Sequence, residues 1–376
     1  LSVLCDNFTV QLDPTAGLTL KPAASARFDL LALGEVMLRF DPSEDRIATT
    51  RHFRVWEGGG EYNVARGARR CFGLRTAIAT ALVDNSIGRL VEDLMLQGGV
   101  DLSHVLWTPF DGVGQSSRNG IYFLERGFGV RRGLGVMDRG HTAIAHLQPG
   151  QIDWNSIFAN DAVRWFHTGG IMAALSESST EVVLEALTAA HAHNVVVSFD
   201  CNYRPSLWKS RGGRAASIAV NRSLMPLVDV LFGHEGDLAK SLGEHSNGPV
   251  WHSLESFSEM AARVAADFTN LKVIATTARR PHTASRNGWT GFAFAEGRAH
   301  EGLLLDHLDI LDRVGGGDGF ASGIIHGLLA SKGIAYALNC GIAHGALTMT
   351  TPGDSSRATL TEVEHLMAGE SAATLR

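Results

Sequence analysis

The chain has 376 residues, with 33 Lys and Arg against 39 Asp and Glu, a net charge of −6. Its 45% apolar and 19% charged content is that of a globular protein with a buried core, and the acidic excess argues against a general nucleic-acid binder. No run of about 18 apolar residues marks a membrane span, and Cys5, Cys71, Cys201 and Cys340 form neither a CxxC pair nor a disulfide framework, as expected of a reducing cytoplasm.

Residues 1–27 lack the basic start and long apolar run of a secretory leader and read as an N-terminal tail. At Phe28 the pattern changes: FDLLALGEVML is an apolar run of strand length that meets Gly34-Glu35. TAIATALVD (Thr76–Asp84), VRWFHTGG (Val163–Gly170), VVVSFD (Val195–Asp200), VDVLFG (Val228–Gly233) and KVIATT (Lys272–Thr277) repeat the type. Each is continuously apolar and closed by turn or polar residues, as buried parallel strands are. Ser178–His193 begins with Ser and Thr before a Glu and reads as a capped helix; Leu254–Phe268 is a second. The alternation predicts an α/β sandwich with a mainly parallel sheet. Ligands then sit beyond the carboxyl ends of the strands, where Asp84, Gly169, Gly170, Asp200 and Asn202 would lie.

Met37–Val55 and Gly114–Val136 break this rhythm with alternating stretches such as RNGIYFLERGFGV. They read as strands of a smaller sheet, either a lid that excludes water or a surface hairpin without a role.

The most informative stretch is DILDRVGGGDGFASGIIHGLL, Asp309–Leu329. Gly315, Gly316 and Gly317 precede Asp318, and Phe320, Ile324, Ile325, Leu328 and Leu329 follow at helical spacing. A helix start presents unpaired amides and partial positive charge, which bind phosphate oxygens. Asp318 there reads either as a cap or as a base that takes a proton from an attacking hydroxyl. GxxxxGK[ST] is absent, so this is not a Walker motif.

DRVGGGDGFASG resembles the DTxGAGDxFxxG motif of the ribokinase-like (PfkB) sugar kinases. EGGGEYNVARGARRCFG (Glu57–Gly73) resembles their GGxxxNxAxxLARLG, and LVDNSIGRLVEDLMLQGGVD (Leu82–Asp101) their GxDxxGxxxxxxLxxxGVD. The resemblance implies a three-layer sandwich over residues 28–362, with lid segments at about 37–57 and 112–138 and a C-terminal tail at 363–376. It implies ATP as donor, Mg²⁺, and room for a monovalent cation. It makes Asp318 the base, and Gly315, Gly316 and Gly317 the anion hole.

SFDCNYRPSLW (Ser198–Trp208) resembles the 2-keto-3-deoxygluconate kinase branch of that family, and more distantly 5-keto-2-deoxygluconate kinases. Asn202 and Arg204 would there meet an acceptor carboxylate; the other reading of Arg204 is a loop cation paired with a surface acid. Glu35, Gly58, Gly59 and Asn63 map to the sugar-binding motifs, with Gly59 permitting close approach, and Arg118, Tyr122, Arg126 and Arg131 are lid candidates. A kinase for a neutral sugar such as fructose, or an inactive sugar- or nucleotide-binding regulator, are the competing readings.

Two motifs depart from the family pattern. Where NxxE is usual, LFGHEGD puts His234, Glu235 and Asp237, so metal support through water falls to Asp237 and Glu235. Where KxGxxG is usual the chain reads IATTARRPHTASRNG, leaving Thr276, Thr277, Arg279 and Arg280 for the donor. Asn339 and GALTMTTPGDS (Gly345–Ser355) resemble the adenine-side and ion-binding tail. The partner implied is a small sugar or sugar acid, with a homodimer through the lid. His191 and His193 point to different helix faces and make a poor metal pair, and Trp154, Trp165, Trp208 and Trp289 read as packing.

Overall fold

Leu30–Leu33 and Val196–Phe199 are buried at every residue, so they belong inside a sheet covered on both faces. The structure, a computed structural model, describes residues 13–234, 236–244 and 253–370. In chain order its strands are β1 (Leu30–Leu33), β2 (Met37–Asp41), β3 (Arg54–Gly58), β4 (Thr76–Asp84), β5 (Asp101–Pro109), β6 (Ile121–Glu125) and β7 (Leu134–Asp138). There follow β8 (Trp165–Gly169), β9 (Val196–Asp200), β10 (Val230–His234), β11 (Val273–Thr283), β12 (Arg286–Ala295), β13 (Arg298–Glu301) and β14 (Leu305–Asp309).

Among the described residues, the large sheet runs β13-β12-β11-β10-β9-β8-β1-β4-β5, with β14 also paired to β12. All neighbours from β11 to β5 are parallel, and β12 pairs antiparallel with β11, β13 and β14. Side chains alternate across this sheet: Leu30 and Ala32 enter one core, Leu31 and Leu33 the other. The first core is completed by residues of the helices Gly60–Phe72, Gly316–Leu329 and Gly333–Thr348. The second takes those of Glu177–Ala192 and Leu254–Asp267. The result is a three-layer sandwich.

A separate sheet, β3-β2-β6-β7, forms from the two segments expected to build a lid. Its turn after β6 meets the tip of the β11–β12 hairpin: Ala284 N donates to Gly129 O at 2.8 Å and Gly129 N to Ser285 Oγ at 3.1 Å. Among the described residues no helix is long and apolar enough to cross a membrane.

The expected boundaries shift. Residues 13–27 are no tail. Ala16 and Leu18 are buried in the first core, Gly333 N donates to Pro14 O at 2.9 Å, and Arg164 Nε donates to Lys21 O at 2.8 Å. Residues 1–12 lie outside the described residues. The expected end at 362 cuts the helix Leu360–Met367, which a Thr359–Glu362 capping box starts and buried Val363 anchors. The segment after KVIATT is a long hairpin rather than a loop, because WTGFAFA supplies β11 with an antiparallel partner.

Candidate active site

The helix Gly316–Leu329 opens at Gly315, whose φ is +83°. The three glycines answer three constraints. A Cβ on Gly315 would lie 1.8 Å from the Asp354 carbonyl oxygen, and one on Gly316 2.9 Å from Met349 Sδ. One on Gly317 would meet nothing within 4 Å. The helix start is therefore open on the side of Gly317, and its first amides have no partner within the helix and carry the positive end of the dipole.

Asp318 sits in the first turn. Asn63 Nδ2, from the helix Gly60–Phe72, donates to its Oδ2 at 2.7 Å, and Ser355 Oγ in turn donates to Asn63 Oδ1 at 3.1 Å. Burial pushes the Asp318 carboxyl up to about 7, with Asp200 and Asp354 adding to the rise and Asn63 and Arg204 opposing it. Burial raises Asp200 to about 6, with Asp237 adding to it and Arg204 opposing. Burial raises Glu61 to about 8, with Asp318 and Asp200 contributing. The Glu61 carboxyl fills the space beside Gly34 and Gly169, at the ends of β1 and β8. The sequence reading missed Glu61; its signal was an acid set directly behind Gly58-Gly59-Gly60.

Several expected acceptor ligands are committed elsewhere. Glu35 accepts from Thr142 Oγ1 at 2.6 Å and from Arg139 Nε at 2.8 Å, so it orients Arg139, which the sequence reading did not single out. The approach that Gly59 permits is to the protein's own backbone: a Cβ there would lie 1.9 Å from Glu35 O. Gly58 leaves room for Tyr122 Oη and Asp354 Oδ2, at 2.3 and 2.6 Å from such a Cβ. Tyr122 is buried and its hydroxyl donates a hydrogen bond to Asp354. Arg118 is held at the lid edge by Asp138 and by Gly140 O at 2.7 Å. Arg131 lies 4.0 Å from the Glu125 carboxylate, and Arg126 pairs with Asp41 at 3.0 Å. Arg118 and Arg126 of the small sheet are thus paired with its own acids Asp138 and Asp41, and Arg131 stands near Glu125.

Asn202 adopts φ +32°, and its backbone bonds to the Asp200 carboxylate. Arg204 is exposed, and among the described residues its hydrogen-bond partner is the carbonyl of Tyr203 at 3.4 Å. Its charge reaches Asp200, Asp237 and Asp318.

On the donor side, His234 ends β10 beside Thr277 of β11, and Asp237 opens the helix Asp237–Leu242. Burial raises the Asp237 carboxyl and His234 opposes it. Burial lowers His234; Asp237 opposes this, while Arg279, Lys240 and Arg313 press it lower still. Three cations thus act on His234, at the strand ends where KxGxxG is lacking. Thr276 is 1% exposed and bonds back to Thr277 O, so its hydroxyl is withdrawn from the site. Glu235 lies outside the described residues, and no cluster of three or more His, Cys, Asp or Glu among the described residues could hold a metal. Asn339 Oδ1 accepts from Leu303 N at 2.8 Å. It thereby pins the chain entering a cavity of about 400 Å³ walled by Leu304, Leu305, Ala346, Leu347 and Leu366.

Between the small sheet and the helix Gly316–Leu329 lies a buried ion cluster. Arg39 of β2 is fully buried; its Nη1 donates to Asp354 Oδ1 at 2.6 Å and its Nη2 to Asp312 Oδ2 at 2.5 Å. Asp312 also accepts from Gly353 N at 3.3 Å. The sequence signal was an Arg inside the apolar run VMLRF.

Residues 27–360 match the profile of the pfkB family carbohydrate kinases. The chain is 30% identical over 342 residues to the 2-dehydro-3-deoxygalactonokinase of Haloferax volcanii, covering 91% of this chain and 97% of that one. It is 27% identical over 333 residues to a 5-dehydro-2-deoxygluconokinase of Bacillus anthracis, covering 86% and 89%. The crystal structure of the 2-dehydro-3-deoxygluconokinase of Thermotoga maritima matches with a TM-score of 0.83 at 32% identity, covering 90% and 99%.

Proposed function

This chain belongs to the pfkB family of carbohydrate kinases, and on that premise we propose that it transfers the γ-phosphoryl group of ATP to a hydroxyl of a keto-deoxy sugar acid. 2-Keto-3-deoxygluconate, giving the 6-phosphate, is the acceptor we favour. The observation that carries the acid is Arg204. It is an exposed guanidinium with no carboxylate within ion-pair distance among the described residues, in electrostatic reach of Asp318. A guanidinium fork matches a carboxylate in two parallel hydrogen bonds. Names of relatives at 30% and 32% identity point to the same acceptor class.

Asp318 takes the hydroxyl proton as the oxygen attacks phosphorus, and the bond to the leaving ADP breaks. The amides at Gly315–Gly317 stabilise the charge that develops on the phosphoryl oxygens. Asn63 holds the carboxylate in place. The apolar cavity against Leu305 and Ala346 seats the donor's base, and Lys240, Arg279 and Arg313 take its phosphates. Asp237 is a single carboxylate, which suits Mg²⁺ held through water and phosphate oxygens; the ion would neutralise those oxygens. A monovalent cation does not fit at Asp354, whose carboxylate already serves Arg39 and Tyr122.

The test is coupled ADP release across 2-keto-3-deoxygluconate, its galactonate epimer, 5-keto-2-deoxygluconate and neutral hexoses. Turnover confined to neutral sugars would reject the acid. The second reading, 5-keto-2-deoxygluconate, is favoured by the relative at 27% identity and is separated by the same panel.

The cytoplasm suits free, buried Cys71, Cys201 and Cys340. We also propose a second copy as partner at the lid. Edge strand β7 exposes Leu134, Val136 and Met137, and the preceding turn exposes Phe128 and Val130. Sedimentation as a monomer at micromolar concentration would reject it.

A further inference from the structure

We propose that Arg39 is a positioning residue for phosphoryl transfer, a lid-borne guanidinium that fixes the anion-hole loop against the loop of Asp354. Arg39 lies at the centre of the small sheet, in register with Trp56 on β3 and Tyr122 on β6. From there it reaches out of the lid. Its two terminal nitrogens take one carboxylate each, Asp312 and Asp354, at 2.5 and 2.6 Å.

These two acids occupy the two loops that shape the helix start. Asp312 precedes Gly315 by three residues, and Asp354 places its carbonyl oxygen where a Gly315 Cβ would stand. The next residue, Ser355, bonds Asn63, which bonds the Asp318 carboxylate. One side chain of the lid is therefore linked, through polar contacts and short stretches of backbone, to the helix start at Gly315 and to Asp318. Tyr122, also from the lid, closes the same link by donating to Asp354.

The chemistry requires a guanidinium. Asp41, Asp312 and Asp354 are buried together with Arg39 and Arg126 as the cations facing them. Burial of an unpaired carboxylate is costly. A planar fork satisfies two acids on different loops at fixed separation; a lysine ammonium is a single point charge without that fork. The same guanidinium supplies fixed positive charge at Asp354, within the tail expected to hold a monovalent ion.

This inference rests on the chain being a sugar kinase and not on which acceptor it takes. A wrong acceptor shows in the unmodified chain, as turnover of other sugars, and leaves comparison of Arg39 variants intact. The experiment compares Arg39→Lys and Arg39→Ala in the full chain, with whichever acceptor the unmodified chain phosphorylates fastest, recording kcat, both KM values and thermal stability. Arg39→Ala is expected to lose about 100-fold in kcat, the scale of a misplaced catalytic group, with each KM within about threefold. Millimolar guanidinium should restore part of that loss without accelerating the unmodified chain, and KCl should not. The unmodified chain should turn over equally in potassium and tetramethylammonium buffers. If Arg39→Ala does not fold, Arg39→Lys decides: a kcat at least about tenfold lower per folded molecule is expected. Unchanged kcat in the folded variants with lowered stability alone would make Arg39 structural and overturn the proposal. Potassium activation of the unmodified chain would overturn the fixed-charge role.

Discussion

Asn63 and Asp318 are 255 residues apart in sequence, and the Asn63 amide donates to the Asp318 carboxylate at 2.7 Å. The starts of two helices meet here: a Cβ on Gly60 would stand 3.6 Å from Asp318 Oδ1. The glycines at one helix start and the asparagine at the other thus act on one carboxylate, which burial lifts to about 7.

If Asp318 is the base, it must be ionised to work, so kcat should fall as pH drops through about 7. Asn63 bonds the ionised form and holds the value down. Asn63→Ala should therefore move the acid limb of the pH–rate profile upward. Asp318→Asn should lower kcat by roughly 10³-fold or more while ATP still binds. Steady-state kinetics from pH 5.5 to 9 and calorimetric titration check both. An unmoved limb in Asn63→Ala would detach that limb from Asp318.

Glu61 gives a stability prediction of defined sign. Its folded value of about 8 lies above the ordinary 4.5, because burial disfavours the charged form. The folded state therefore prefers the protonated acid. Its stabilisation is complete below the unfolded value and is lost as pH rises through about 8. Glu61→Gln keeps the shape without the charge, so its melting temperature should exceed that of the unmodified chain at pH 8.5. The two should converge toward pH 5. Parallel melting curves at both pH values would refute the sign.

Gly315 and Gly317 should fail differently. Gly315→Ala puts a Cβ 1.8 Å from a backbone oxygen at φ +83°, so it should unfold readily, with loss of several kcal/mol. Gly317→Ala meets nothing in the protein. It should melt within a few degrees of the unmodified chain yet lose kcat, because the methyl enters the open space beside the helix start that a transferred phosphoryl group would need. Equal melting temperatures for the two variants would contradict this geometry.

Long-range pairing explains what the sequence could and could not convey. TAIATALVD was legible to the residue as β4 because nine consecutive residues carry one local signal. The glycine–aspartate helix start was legible for the same reason, and both sheets followed from the alternation. The commitments of Tyr122, Gly58 and Glu35 were not, because their partners, Asp354 and Arg139, lie on distant segments whose positions only the fold sets. The pairing of the lid arginines was hidden in the same way: positive charge is visible in the sequence, whereas Asp138, Glu125 and Asp41 beside it are visible only once the strands pair. Arg39 was passed over because an arginine in an apolar strand has no local meaning until two buried acids arrive from residues 312 and 354.

If Arg204 meets an acceptor carboxylate, Arg204→Ala should raise KM for the sugar acid at least about tenfold, the scale of a charge-assisted pair. The activity with any neutral sugar should change far less. Arg204→Lys should recover only part, since an ammonium cannot form the two-bond fork. An equal KM increase for acid and neutral acceptors would make Arg204 a general organiser of the strand end.

The donor pole offers the last separation. Lys240 and Arg313 both press on the His234 imidazole, yet they come from the helix after β10 and from the loop before Gly315. Two elements far apart in sequence thus deliver positive charge to the ends of β10 and β11, where the chain lacks KxGxxG. If that charge receives phosphates, Lys240→Ala and Arg313→Ala should each raise KM for ATP several-fold and leave KM for the acceptor nearly unchanged. The double variant should lose more than either. The salt dependence should flatten as well, because each removed cation takes a screened attraction with it. Measuring KM for ATP at two ionic strengths separates this from a packing defect, which would lower KM discrimination without changing the salt slope. A KM for ATP unaffected in both variants would move the phosphates away from this pole, toward Arg280 on the outer hairpin.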